Sequence, residues 1–184
     1  SHGVLLIGSR AALEQGARCA GVKLPPIPVV DEPSQFNGPL GLLDLGPLPK
    51  DFRFGEVQGG CGSLAVAAVT AAAELCLSGK AAAMVTCPIN KEAIHAAGFV
   101  DDIGHQEILA RLAAINDTAT MLMTPGLKVV HLSTHKSLGQ AVRFVTAANV
   151  LARLRLCQRA LRQWGLAAPR IAVAGLNPHN GEGG

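Results

Sequence analysis

At 184 residues, with 49% hydrophobic and 16% charged side chains, the chain is long enough for one ordinary core and too apolar for a disordered segment. Its net charge of +3 is scattered without a basic patch, and five Phe, one Trp and no Tyr leave no stacking surface, so no nucleic-acid partner is expected. Five widely spaced cysteines without a Cys-x-x-Cys pair point to reduced thiols in a cytoplasmic protein, and the apolar stretch Val57 to Ala73 is too short and too weakly apolar for a membrane span.

In chain order, Val4 to Gly8 predicts a strand, and Ser9 caps a helix from Arg10 to about Ala20 that Gly21 stops. Strand then helix opens an α/β unit. Residues 22–60 are a Pro/Gly-rich excursion or small subdomain, with Val29-Val30 and Leu40 to Leu45 as short strands. Ser63 to Ser78 reads as a buried Ala-rich helix, and Ala81 to Thr86 as the next strand. Short helices follow at Lys91 to Ala97 and about Gln106 to Ala113. Ala119 to Met123 and Val129 to Ser133 predict a hairpin around Pro125-Gly126, which makes the sheet mixed. Thr146 caps a helix from Ala147 to Trp164 with an apolar stripe of Val150, Leu151, Leu154, Cys157, Leu161 and Trp164. Arg153, Arg155, Arg159 and Arg162 form its solvated or rim-facing side. Ile171 to Ala174 closes the chain as a buried strand.

Chemistry concentrates at strand ends, where ligands sit in open α/β sheets. One predicted strand leads into Asn177-Pro178-His179 and the glycines around Glu182; another ends at Thr134-His135. The two histidines share a metal ion or simply close their strands, since no local ligand spacing decides it. Asn177, Asn180 and Glu182 orient His179 or belong to a solvated turn. Thr86-Cys-Pro-Ile-Asn-Lys91 is either an anion site at a helix start, with Lys91 adding charge, or a turn with a surface lysine. No Gly-x-Gly-x-x-Gly fingerprint supports a Rossmann dinucleotide site. His131 and His95 read as structural or peripheral.

The segment Leu176 to Gly184 closely resembles one from the 4-hydroxythreonine-4-phosphate dehydrogenase family of vitamin B6 biosynthesis. Thr134-His135, Cys87-Pro-Ile-Asn-Lys91 and Gly104-His-Gln-Glu107 match further family segments in order, and the resemblance runs from about Val4 to Gly184. It implies a three-layer α/β/α fold with a mixed, largely parallel sheet of the isocitrate/isopropylmalate-dehydrogenase type, here incomplete. The 184 residues would be a single α/β region of a longer two-domain dehydrogenase, inactive by itself. His135 and His179 would be two of three histidines holding a divalent metal (Zn, Mg, Mn or Co), the third beyond Gly184. His105 and Gln106 would hold the substrate, and Lys91 would assist near its phosphate or carboxylate. The implied reaction is NAD- or NADP-linked oxidation of 4-hydroxythreonine 4-phosphate to a β-keto acid that loses CO2, in a homodimer with its sites at the subunit interface. Two positions depart from the family: Cys87 stands for a glycine, and Gln106 for a threonine. Gln106 keeps open a relative acting on threonate or erythronate 4-phosphate, and more distantly a dihydrodiol-carboxylate dehydrogenase. A non-catalytic anion-binding module is the reading outside the enzyme class.

Overall fold

A computed structural model describes residues 3–102 and 104–182, in one compact unit within Ser1–Asn116 and another within Asp117–Gly184. The first unit opens with β1 (Val4–Gly8), which passes through Ser9 into α1 (Arg10–Ala20). Ser9 Oγ accepts from the Ala12 N–H at 3.4 Å, and Gly21 ends the helix in the left-handed region at φ 65°. Both ends lie where the sequence predicts them, because both caps are made by adjacent residues.

The Pro-rich stretch supplies β2 (Val29–Val30) and β3 (Leu40–Asp44). Far from leaving the sheet, it contributes the middle strand: β3 lies between β1 and β2, parallel to both. Pro28 and Pro39 flank these strands without interrupting their ladders, and Pro28 still accepts the Leu42 N–H at 2.9 Å through its carbonyl. Leu42 and Leu43 are buried there.

α2 (Gly59–Leu77) begins four residues before the Ser63 expected from sequence and packs against β1. Its length and composition alone would pass for a membrane span, yet Gly62, Val66, Val69 and Ala73 are buried, as on the core side of a globular helix. α3 (Lys91–Ala96) and α4 (His105–Leu112) pack against it. Val66, Val69, Ile94 and Ile108 form the core, with Ile94 and Ile108 at 0% exposure. The packing is close: a Cβ on Gly59 would stand 2.7 Å from the Ala96 carbonyl oxygen, and one on Gly62 would overlap the Ala93 carbonyl.

The strand expected at Ala81 to Thr86 does not form among the described residues. Met84 packs on the core while Val85 is 98% exposed. What this run lacks is a hydrogen-bonded neighbour, and a strand exists only as part of a ladder.

In the second unit, β4 (Met121–Thr124) and β5 (Leu127–Val130) make the expected antiparallel hairpin, with Thr124 opposite Leu127 across Pro125-Gly126. Among the described residues this is a separate two-stranded sheet, and the three-stranded sheet is wholly parallel. β5 stops at Val130, short of the predicted Ser133. α5 (Leu138–Phe144) was not expected, although Ser137 and Gln140 write a capping box: Ser137 Oγ accepts from the Gln140 N–H at 3.4 Å, and Gln140 Oε1 from the Ser137 N–H at 3.1 Å. α6 (Ala147–Gln163) starts at its Thr146 cap. Cys157 and Leu161 are its buried residues, whereas Leu151 and Trp164 of the predicted stripe are exposed. Arg153 departs from the solvated arginine set: it donates to the carbonyls of Thr118 at 2.6 Å and Leu132 at 3.4 Å, gripping both legs of the hairpin. Ile171 to Ala174, predicted as a buried strand, has no ladder partner among the described residues, and Val173 is 62% exposed.

Candidate active site

Lys91, His105 and Gln106 belong to the first unit; His135 and His179 belong to the second. Lys91 is the exposed first residue of α3, and the Asn90 side chain caps the helix by accepting the Ala93 N–H at 2.9 Å. That bond occupies one of the N–H groups an anion would use, so Lys91 itself carries more of any anion attraction here than the helix start does. Cys87 is exposed in the preceding turn. Cys61, on α2, is a different case: burial pushes its thiol above the usual range, with Asp51 adding to the effect, so it is a poor nucleophile.

His105 opens α4, half-buried, with Gly104 as the preceding cap residue. Its Nε2 is buried and has no hydrogen-bond partner among the described residues. Gln106 is half-buried beside it. Sequence reasoning missed the pair that borders these residues. Asp102, 4% exposed, accepts a fork from Arg111: Nη2 to Oδ2 at 2.6 Å and Nε to Oδ1 at 3.3 Å. That hydrogen bond holds the Arg111 guanidinium above its usual range. The two residues stand nine apart, Asp102 three residues ahead of α4 and Arg111 in its last turn, a spacing that no local motif advertises.

His135 is not at a strand end. β5 stops five residues earlier, and His131 is the residue next to it, its N–H donating to the Thr120 carbonyl at 3.4 Å. His135 lies in an exposed bend with φ 55°. His179 lies in a short 3-10 turn, Pro178–Gly181, at φ 54° and ψ 19°. Its imidazole is exposed, with Nδ1 3.5 Å from Glu182 Oε1, an ion pair only when the ring is protonated. Asn180, Gly181 and Glu182 continue in the left-handed region at φ 52°, 82° and 42°. Non-glycine residues enter that region at a cost of roughly 1–2 kcal/mol each, least for Asn. Both candidate metal histidines therefore sit at strained backbone, which collects at functional sites.

The donor chemistry is compatible with a metal. Two exposed imidazoles suit zinc or cobalt, although they discriminate poorly between them. Among the described residues no group of three or more His, Cys, Asp or Glu is close enough to hold an ion.

A parallel sheet with α2 packed on it in the first unit, and loops carrying His135 and His179 in the second, define an α/β protein. The family model described as pyridoxal phosphate biosynthetic protein PdxA matches residues 2–184, and the chain belongs to that family. A putative D-threonate 4-phosphate dehydrogenase of Symbiobacterium thermophilum is 42% identical over 183 residues, 98% of this chain and 54% of the relative. The D-threonate 4-phosphate dehydrogenase of Cupriavidus necator is 36% identical over 182 residues, again 98% and 54%. Among solved structures, the 4-hydroxythreonine-4-phosphate dehydrogenase of Klebsiella pneumoniae superposes with a TM-score of 0.87 at 37% identity, over 98% of this chain and 56% of that one. A terephthalate 1,2-cis-dihydrodioldehydrogenase of Burkholderia xenovorans is more distant, with a TM-score of 0.58 and 27% identity over 98% and 55%. The chain thus spans about half the length of the relatives it matches.

Proposed function

We propose that the complete protein is a metal-dependent, NAD- or NADP-linked dehydrogenase of a phosphorylated four-carbon hydroxy acid. The observation that carries this is the conjunction of family membership with dehydrogenase names on the similar proteins. Those names divide between two substrates. D-threonate 4-phosphate, the one named in the curated relatives, is taken as the substrate. 4-Hydroxythreonine 4-phosphate, named for the solved structures, is the second reading.

His105 and Gln106 bind the substrate; the buried, unpartnered Nε2 of His105 is suited to a polar group of the ligand. Lys91, exposed and cationic, attracts the phosphate or carboxylate. His135 and His179, with a further ligand outside the described residues, would hold a divalent ion whose Lewis acidity favours loss of the hydroxyl proton. A bound nicotinamide would supply the hydride acceptor. Oxidation beside the carbon that bears the carboxylate produces a β-keto acid in the hydroxythreonine case, which then loses CO2.

Architecture belongs to the same reading. A cytoplasmic homodimer of longer, two-domain chains, with a three-layer α/β/α fold of the isocitrate/isopropylmalate-dehydrogenase type, would supply neighbours for the unpaired runs at Ala81 to Thr86 and Ile171 to Ala174. Light scattering on the full-length protein is expected to give a dimer; an active monomer that does not change with concentration contradicts it.

The substrate test is steady-state kinetics of the full-length protein on both phosphorylated acids, with NAD and with NADP. D-Threonate 4-phosphate is expected to have the higher kcat/KM. Gln106→Thr exchanges an amide that donates and accepts for a shorter hydroxyl, and is expected to shift the ratio of the two kcat/KM values by about tenfold, a cost of one hydrogen bond. An unchanged ratio removes Gln106 from specificity. No turnover of either acid with either nucleotide ends the dehydrogenase reading.

A further inference from the structure

The Asp102–Arg111 fork takes no part in the chemistry above. Keeping a carboxylate at 4% exposure is costly unless its oxygens are engaged, and here one guanidinium engages both. Its location is informative. Asp102 lies on the segment entering α4, three residues before His105, and Arg111 lies in the last turn of the same helix. Helical side chains lean toward the N-terminus, which lets Arg111 reach back along the helix to that segment. Gly104, at the cap position, has no side chain to hold the first turn. Ile108, at 0% exposure, anchors α4 in the core with Leu109 and Leu112 packed beside it, and these contacts leave the start of the helix, with His105 and Gln106, to be placed by others. The buried Nε2 of His105 has no hydrogen-bond partner among the described residues, so nothing at that atom fixes the ring and the path of the chain helps set where it stands.

We propose that Asp102 and Arg111 are positioning residues for the substrate-binding end of α4, setting where His105 and Gln106 stand. The fork ties the entering segment to the helix body, the core contacts of Ile108, Leu109 and Leu112 hold that body, and together they leave the first turn one orientation. The proposal rests on the reading of His105 and Gln106 as substrate ligands, and its test separates the two.

The experiment uses the full-length protein and whichever of the two phosphorylated acids it turns over faster. KM, kcat and the thermal midpoint are measured for Asp102→Asn with Arg111→Met together, for Arg111→Lys, and for His105→Ala. Removing both charges leaves no unpaired buried ion, only a neutral amide, so the double variant is expected to fold and to melt a few degrees below the parent. Its KM is expected to rise about tenfold or more, because a displaced ligand group loses binding without loss of the fold. Arg111→Lys keeps the charge and loses the fork; its KM is expected to rise less, and it decides the question if the double variant does not fold. Parent KM in the folded variants overturns the proposal. If His105→Ala raises KM while they do not, positioning fails and the ligand reading stands. If His105→Ala also keeps the parent KM, both fall.

Discussion

Gly62→Ala is expected to destabilise the protein by about 2 kcal/mol or more, although alanine is the better helix former by about 1 kcal/mol. Gly62 is buried in the first turns of α2, and its missing Cβ is the space into which the Ala93 carbonyl of α3 fits. A methyl group there meets backbone, which cannot rotate away. α2 and α3 must separate, and separation opens the contact among Val66, Val69 and Ile94 on which Ile108 also rests. Overpacking of this kind typically costs about 1–3 kcal/mol, and the loss of core contact adds to it. Because Lys91 is the first residue of α3, the same shift moves the candidate anion group. Gly16 is the internal control: it lies inside α1, exposed, with nothing within 4 Å of an added Cβ. Gly16→Ala is expected to stabilise by about 0.5–1 kcal/mol. Urea midpoints of the two variants should therefore move in opposite directions. A Gly62→Ala midpoint at or above the parent's would show that the helices have slack the structure does not contain.

His135→Asn and His179→Asn in the full-length protein are expected to abolish turnover with little effect on folding. Asparagine is the appropriate replacement because both positions lie at positive φ, where it is tolerated better than alanine. Both side chains are exposed, so the change in stability should stay within about 0.5 kcal/mol. The effect on kcat/KM should exceed the roughly 10–100-fold cost of losing an outer partner of a metal ligand, since the ligand itself is removed. Bound divalent metal, measured after equilibrium dialysis, should fall in parallel. Full turnover by either variant would remove that histidine from the metal site. Loss of turnover with undiminished metal would move it from the metal to the substrate.

The elements that were legible in the sequence are those whose ends are made by neighbouring residues. Ser9 and Gly21 bound α1, Asn90 opens α3 and Thr146 opens α6, each by a bond spanning a few residues. The Pro125-Gly126 turn brought its two strands together for the same reason, even where their ends were misjudged. α5 carried its own signal in Ser137 and Gln140 and was overlooked. The family segments, too, are contiguous words, and residues 2–184 match the family that they suggested.

Residue order alone was enough for what is local: the caps, the turns, the helices between them, and the positions of Lys91, His105, Gln106, His135 and His179 as candidates. The tertiary structure decided everything that needs a partner from another part of the chain. Ala81 to Thr86 and Ile171 to Ala174 have the composition of strands but no ladder among the described residues, because backbone pairing is a property of two segments and composition of only one. Arg153 looked like its exposed neighbours until its carbonyl partners at Thr118 and Leu132 were in view. The Asp102 carboxylate is buried because α4 places Arg111 beside it, a juxtaposition made by the turns of a helix and the length of one side chain.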